Sequence, residues 1–254
     1  AGILLPETGA LLRDPTLQNN ALVAHWSKVF CDEPEFPAEK ARDMTNNHGI
    51  DFTTANLVLP SSECITKFLR RAKNSAPGPD GLPYASWLAC GDLGATTLHG
   101  ILLDACNGRV PASSFNDTSI VFLPKTDVAA LGGSSPRQGH ATAGAENTVN
   151  KALAATLASA IARAIRCAAS PVQQGFVQGR RFTDNIIEID WAARRALENL
   201  EGPAWESPTV LSPLIALFDV RAAFPSVSQQ WLRHTIQNCG LPPGLQKAVL
   251  CMYN

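Results

Sequence analysis

The sequence predicts an α+β fold built mostly of helices around a small antiparallel sheet. Three observations predict it. Apolar residues recur at helical spacing in several segments, and a few short apolar runs are bounded by turn residues. Hydrophobic residues make up 45% of the 254 positions and charged residues 17%, which is typical of a globular chain with a sizeable core.

Helical spacing is clearest where apolar residues recur every three or four positions and polar residues fill the gaps. Ser61 or Ser62 precedes one such stripe and predicts a helix N-terminus. The segment 31–60 is expected to be loop-rich. The predicted helices cover residues 17–30, 62–72, 84–107, 150–169 and 183–200, with a further helix that begins near Ser228.

Short apolar runs predict the strands. Residues 2–12 surround a turn signal and predict a small hairpin, and residues 119–123 predict a strand that ends at Pro124. Residues 214–220 form a nearly continuous apolar run, which predicts a central strand. The segment 126–147 is rich in Gly, Ser and Ala and is expected to be the least structured stretch.

The charge balance excludes a protein that coats nucleic acid by charge alone, because 21 Lys and Arg residues face 22 Asp and Glu residues. Basic residues do cluster locally, in residues 67–73 and 147–183, where a solvated helix face is the alternative to nucleic-acid contact. No membrane span and no disulfide framework are expected. The seven cysteines show no zinc-like spacing and are expected to be reduced, mostly packing thiols of an intracellular protein.

Asp219 is the sharpest candidate for chemistry, because it directly follows the five apolar residues 214–218. A carboxylate at the end of a buried strand is costly unless a cation or hydrogen bonds compensate it. Such a position suits a Mg²⁺ ligand, because Mg²⁺ prefers oxygen donors. The alternative is an Asp that only caps the following helix.

Four segments, in order, resemble reverse transcriptases of the non-LTR retrotransposon type. They are residues 75–83 (SAPGPDGLP), residues 121–125 (VFLPK), residues 174–186 (QGFVQGRRFTDNI) and residues 218–227 (FDVRAAFPSV). The first is similar to the loop ahead of the fingers, the second to a fingers strand, and the third to the connection from fingers to palm. The last resembles the first carboxylate motif of the palm.

This resemblance implies an RNA-directed DNA polymerase that acts on an RNA template, a DNA primer and deoxynucleoside triphosphates. It implies a partial right-hand fold, with mainly helical fingers and the first strands of a palm sheet. The implied regions are an N-terminal extension (1–60), a fingers-like region (61–213) and the start of a palm (214–254).

Roles for individual residues follow from the same resemblance. Asp219 would bind catalytic Mg²⁺ together with the backbone carbonyl of Val220, and Phe224 would lie beneath the incoming sugar. The implied triphosphate contacts are Lys125 and the backbone amides of Ala222 and Ala223, and the implied nucleic-acid contacts are Lys151, Gly179 and Arg180.

The sequence departs from this family at two places. The string NTVNK at residues 147–151 is present, but Ala141 and Thr142 stand where the family has an Arg-Pro pair that serves the triphosphate, and Arg137 or His140 would have to substitute. The aromatic-Ala-Asp-Asp string that supplies the remaining carboxylates occurs nowhere in the 254 residues. One carboxylate cannot build a two-metal site, so we expect the chain alone to be inactive.

Two other functions stay open. The first is a degenerate helical interaction module without a catalytic role, which the neutral net charge and the missing Arg favour. The second is a metal-dependent hydrolase that uses Asp219, and it is weaker because none of the five histidines has metal-like spacing with another. In the polymerase interpretation, Lys125, Arg180 and Asp219 must face one cleft.

Overall fold

The computed structural model describes residues 3–5, 8, 11–31, 36–109, 114–124, 140–198, 215–219, 223–224 and 226–253. The described secondary structure is mainly helical, with two small antiparallel sheets, so the α+β class is confirmed at that level. The helices are α1 (Pro15–Cys31), α2 (Ala38–His48), α3 (Ser62–Arg71), α4 (Tyr84–Ala89), α5 (Gly91–Cys106), α6 (Thr148–Ala168), α7 (Phe182–Glu198), α8 (Gln229–Asn238) and α9 (Pro243–Cys251).

Both sheets are two-stranded hairpins. Strand β1 (Ile3–Leu4) pairs with β2 (Leu11–Leu12), which confirms the predicted N-terminal hairpin. Strand β3 (Thr118–Pro124) pairs with β4 (His140–Glu146) along its whole length, with Ile120 opposite Gly144. The β3–β4 hairpin leads the chain directly into the first turn of α6.

The chain divides into two compact units. Unit 1 comprises Ala1–Ala160 and Phe224–Asn254, and unit 2 comprises Ile161–Ala223. The sequence-based boundaries near residues 60 and 213 stay predictions.

The core of unit 1 surrounds α5, which packs against α3, α4 and α9. Leu98 and Leu102 lie one turn apart on α5 and are fully buried, because that spacing places both on one face. Ile65 of α3 and Leu245 of α9 complete this apolar centre. The predicted stripe on α3 is therefore confirmed at its centre.

Three predictions of secondary structure were wrong, and a fourth was wrong in part. Helix α2 lies inside the segment expected to be loop-rich, where only Ala41 is buried among polar side chains, so no apolar stripe revealed it. The single helix predicted at 84–107 is two helices, because Gly91 adopts a positive φ of 56° between α4 and α5. Gly94 then lies so close to α4 that a Cβ would be 2.6 Å from the carbonyl oxygen of Trp87.

The third difference concerns the segment 126–147, which was expected to be the least structured. Residues 126–139 lie outside the described residues, but residues 140–146 form β4. Its small residues carry little strand propensity, but pairing with β3 satisfies the backbone of β4. The fourth concerns the predicted central strand. Residues 215–219 form no strand, and the side chain of Phe218 is 92% exposed. A buried strand needs partner strands on its edges, and the described strands pair only with each other.

No helix in the described part of the chain is long and apolar enough to cross a membrane. Six of the seven cysteines are free thiols in the described residues. Three of these thiols are buried and three are exposed, so packing accounts for only half of them. The buried set is Cys106, Cys239 and Cys251, and the exposed set is Cys64, Cys90 and Cys167.

Candidate functional site

The loop 75–83 is a tight turn held by its own backbone. The amide of Gly81 donates to the carbonyl oxygen of Gly78 at 3.0 Å, and Gly81 takes a positive φ of 69°. The amide of Leu82 donates to Oδ1 of Asp80 at 3.0 Å. The stiff loop predicted from the Pro and Gly pattern is therefore present, and it is fixed rather than a linker.

Asn147 fastens this loop to the start of α6. Its side-chain amide is buried, and Oδ1 accepts a hydrogen bond from the backbone amide of Asp80 at 3.1 Å. Its Nδ2 donates to the carbonyl oxygen of Ser114 at 3.4 Å. One buried amide therefore joins the loop, the approach to β3 and the N-terminus of α6. We call these contacts, together with those of Thr148 and Lys151 below, the Asn147 junction.

Gly78 allows the close approach that the junction requires. A Cβ at this position would lie 2.3 Å from the backbone nitrogen of Asn147 and 2.4 Å from the carbonyl carbon of Glu146. Both are backbone atoms, which cannot rotate away as a side chain can. Only glycine therefore fits here with the loop docked.

Thr148 closes the junction from inside the core. Its hydroxyl is fully buried, donates to the carbonyl oxygen of Leu82 at 2.7 Å and accepts from Nε1 of Trp87 at 2.9 Å. The partners are only partly buried, but both hydrogen bonds end on a hydroxyl that is itself withdrawn from water. The hydroxyl thus connects loop 75–83, α4 and α6.

Lys151, one turn further along α6, also contacts the loop. Its ammonium donates to the carbonyl oxygen of Ala76 at 3.2 Å. An ammonium carries three donors, so one bond to the loop leaves capacity for an anion. The structure thus places this predicted nucleic-acid contact against the loop 75–83.

Burial affects one titratable group beside the junction. Tyr84 begins α4 and packs edge-on against Phe68 at a centroid distance of 5.8 Å. Burial raises the pKa of the Tyr84 phenol, and the negative charge of Glu146 raises it further. The phenol therefore stays neutral and serves packing.

The VFLP part of the second motif lies in β3, in the half of the β3–β4 hairpin that is further from Asn147, because Thr118 and not Val121 pairs with Glu146. Lys125 lies outside the described residues, so its position stays a prediction. Ala141 and Thr142, which stand where the family has Arg-Pro, are in β4 opposite Leu123 and Phe122. The backbone of these two positions is therefore committed to the hairpin.

Arg180 lies in unit 2 and fastens the C-terminal end of α6. Its guanidinium donates to the carbonyl oxygens of Arg166 at 3.0 Å, Ala169 at 3.0 Å and Gln173 at 2.7 Å, and also to that of Ser170. A helix leaves its last carbonyls unpaired, and a cation is favourable there. Four of its five N–H donors are thus used inside the protein.

The loop that Arg180 closes has unusual backbone at two positions. Gly179 has a φ of 80°, and a Cβ there would lie 3.0 Å from a guanidinium nitrogen of Arg166. Phe176 has a φ of 60°, although it carries a bulky side chain that is 95% exposed. Positive φ is costly for such a residue, so the surrounding loop must impose it.

The remaining predicted site residues fall at the end of unit 2 and the start of the second part of unit 1. Asp219 is exposed at the end of the segment 215–219, and Ala223 and Phe224 are exposed. Val220 and Ala222 lie outside the described residues. The buried environment predicted for Asp219 is therefore not observed, since the strand expected to carry it is absent.

The described residues do not fit a complete Mg²⁺ site. Among them, no group of three or more His, Cys, Asp or Glu side chains could hold a metal ion. Asp219 is a single exposed carboxylate, whereas a pair of catalytic ions needs several oxygen ligands. No reaction step can be assigned to a metal here.

The sequence did not predict the contacts of Thr148 and Trp87, nor the close packing of Gly78 against the start of α6. Asn and Thr near the start of an Ala-rich helix are a capping signal, which could have marked the helix start but not the distant partner. The bond from Trp87 joins residues 61 positions apart. No local pattern predicts a hydrogen bond over that separation.

Comparison with protein-family models gives no match, and comparison with curated proteins gives none either. The resemblance to reverse transcriptases therefore depends on the sequence motifs, and the function that follows is a proposal.

Proposed function

We propose that this chain is the fingers and the beginning of the palm of an RNA-directed DNA polymerase of the non-LTR retrotransposon type. The observation that carries the proposal is the hydrogen bond from the amide of Asp80 to Oδ1 of Asn147. It joins the loop 75–83 to the string at 147–151, two segments that resemble the family and lie 67 positions apart. Strand β3, which contains the VFLP part of the second motif, begins beside these segments, where Thr118 pairs with Glu146.

Within this proposal the Asn147 junction is a rigid support for a nucleic-acid strand. Lys151 would contribute an ammonium to a phosphate, and Lys125 would serve the triphosphate. Arg180 would act by fixing the loop that contains Gly179, because its own donors are bound to carbonyl oxygens. Asp219 and Phe224 would serve the metal and the sugar, as the resemblance implies.

The proposed function of the chain alone is binding rather than polymerisation. The 254 residues contain no aromatic-Ala-Asp-Asp string, and a single carboxylate motif does not complete a two-metal site. We therefore expect no deoxynucleotide incorporation by the purified chain. Incorporation that survives Asp219→Ala would contradict this expectation.

A salt titration of binding to a primed RNA template tests the proposal. Contacts to phosphates release counterions, so the affinity must fall steeply as salt rises. Lys151→Ala is expected to weaken binding and to reduce the slope of log affinity against log salt by about one. The matched control is Lys40→Ala, which removes an exposed lysine from α2 and should change neither. No binding at low salt, or equal effects of the two variants, would refute the proposed interface.

One observation favours the second candidate, a helical interaction module. Helix α7 exposes several large apolar side chains, and that of Trp191 is 59% exposed. Apolar surface of this kind marks interaction sites more often than free surface. The exposed residues of α7 are Phe182, Ile186, Ile187, Ile189 and Trp191.

If the chain is a helical interaction module, we expect it to associate with itself or with another protein through α7. Sedimentation of the chain and of its Ile187→Glu variant tests this second function. A charge buried at position 187 would dissociate an assembly formed through α7. An assembly that Ile187→Glu dissociates, together with no salt-dependent RNA binding, would favour this second function. A monomer in both proteins would remove its support.

A further inference from the structure

A cleft lies between α3 and α6 in unit 1, outside the Asn147 junction. Its volume is about 610 Å³, within the range of roughly 300–1,000 Å³ that small-molecule sites occupy. The segment 58–60 closes one side. The residues that matter for its chemistry are Leu59, Cys64, Lys67, Phe68, Arg71 and Ser159.

The walls of the cleft are apolar and open to solvent. Val58 is 69% exposed and Leu59 is 39% exposed, although both line the cleft. Phe68 forms one wall, and Tyr84 packs edge-on against its ring. A ligand with an apolar body would therefore remove existing apolar surface from water, which is favourable.

Two cations stand at the rim of the cleft, one turn apart on α3. Lys67 is already paired with Glu63 at 2.9 Å. Arg71 makes no ion pair with any described residue, and it lines the same cleft. A planar guanidinium binds a carboxylate or phosphate through two parallel hydrogen bonds. The cleft thus combines an apolar interior with one available anion-binding group.

We propose that the cleft between α3 and α6 binds a small amphipathic anion, with an apolar body between Leu59 and Phe68 and a carboxylate or phosphate on Arg71. A purely ionic ligand would leave the apolar walls in water, and a neutral apolar one would leave Arg71 unused. A polynucleotide needs several clustered cations, whereas the rim offers one unpaired guanidinium beside a paired lysine. This site is independent of the polymerase proposal.

Cys64 provides a local readout, because its exposed thiol lines the cleft. The test measures the rate at which iodoacetamide alkylates each thiol of the whole chain, by mass spectrometry. The probe is 1-naphthyl phosphate, and 1-naphthol and inorganic phosphate supply its two halves separately. We expect 1-naphthyl phosphate to protect Cys64 saturably and at lower concentration than either half. The exposed thiols of Cys90 and Cys167 should react at unchanged rates.

Matched variants locate the two parts of the site. Arg71→Gln should weaken binding of 1-naphthyl phosphate by about tenfold, the loss expected for a charge-assisted pair. Arg70→Gln removes the same charge from a neighbour that does not line this cleft, and it should have little effect. Ser159→Leu should fill the cleft and abolish protection, while Ala158→Leu, outside the cleft, should not.

Several results would overturn the proposal. Equal protection of Cys64, Cys90 and Cys167 would show general adsorption rather than a site. Equal effects of Arg71→Gln and Arg70→Gln would show that only net charge matters. A single-stranded RNA oligonucleotide that protects Cys64 at lower concentration than 1-naphthyl phosphate would assign the cleft to nucleic acid instead.

Discussion

Replacing Thr148 with Val tests whether the Asn147 junction is a structural centre of unit 1. The change keeps the size of the side chain but removes the hydroxyl that bonds to Leu82 and Trp87. The carbonyl oxygen and the indole N–H would both lose their partner beside a fully buried position. Two neutral bonds contribute about 1 kcal/mol each, and a fully buried group left unpaired costs about 1–3 kcal/mol more, of which these two partly buried groups should lose only the lower part.

We therefore expect Thr148→Val to lower the free energy of unfolding by about 2–4 kcal/mol. For a unit of this size, that corresponds to a fall in Tm of roughly 5–12 °C. Urea unfolding followed by circular dichroism measures the free energy, and an unchanged slope against urea would show that the unfolded state is not altered.

Two comparisons make the test of Thr148 specific. Thr148→Ser loses a methyl group but keeps both hydrogen bonds, so it should cost less than Thr148→Val. Thr97→Val removes an exposed hydroxyl that bonds only within α5, and it should cost less than about 0.5 kcal/mol. The reasoning would be refuted if Thr148→Val were no more destabilising than Thr148→Ser, or matched Thr97→Val.

Three further predictions concern other parts of the chain. Gly78→Ala should prevent docking of the loop, because its Cβ overlaps backbone, and urea unfolding should show a larger loss than for Gly81→Ala, which meets open space at a strained φ. Arg180→Lys should speed amide hydrogen exchange at the end of α6, since an ammonium cannot span four carbonyl oxygens. The hydrogen bond from Lys67 lowers the pKa of Glu63. Its stabilising effect is present above the ordinary Glu pKa and is lost as the pH falls through the lowered value, and NMR titration should show Lys67→Gln returning that pKa upwards.

Local patterns predicted the elements whose cause is local. The stripe centred on Ile65 and Leu69 gave α3, and Ser228 caps α8 by accepting from the amide of Trp231 at 3.2 Å. Helix α2 was not predicted, because it is a polar helix with one buried residue, Ala41, and therefore has no stripe of apolar residues. Periodicity reveals a helix only when one face is buried.

The sequence predicted which segments belong to the candidate site, but it did not predict the contacts between them. The loop 75–83 and the string at 147–151 were both recognised, and Lys151 of the string was assigned to nucleic acid. Asn147 and Thr148, for which no role was predicted, face inwards and hold the segments together. Arg180 similarly turns its donors to a helix end. A sequence shows which residue types are present, but the direction of a polar side chain depends on distant partners.

The exposed segment 215–219 illustrates the same dependence for a strand. Its apolar residues Ile215, Leu217 and Phe218 predict burial, yet all three are largely exposed. A run that is apolar on both faces is stable as a strand only between other strands, because its backbone groups and side chains both need cover. The four described strands form two separate pairs, and neither pair supplies an edge to residues 215–219. Burial of Asp219 at a strand end therefore requires partner strands beyond those described, and the proposed metal-binding role requires the same partners.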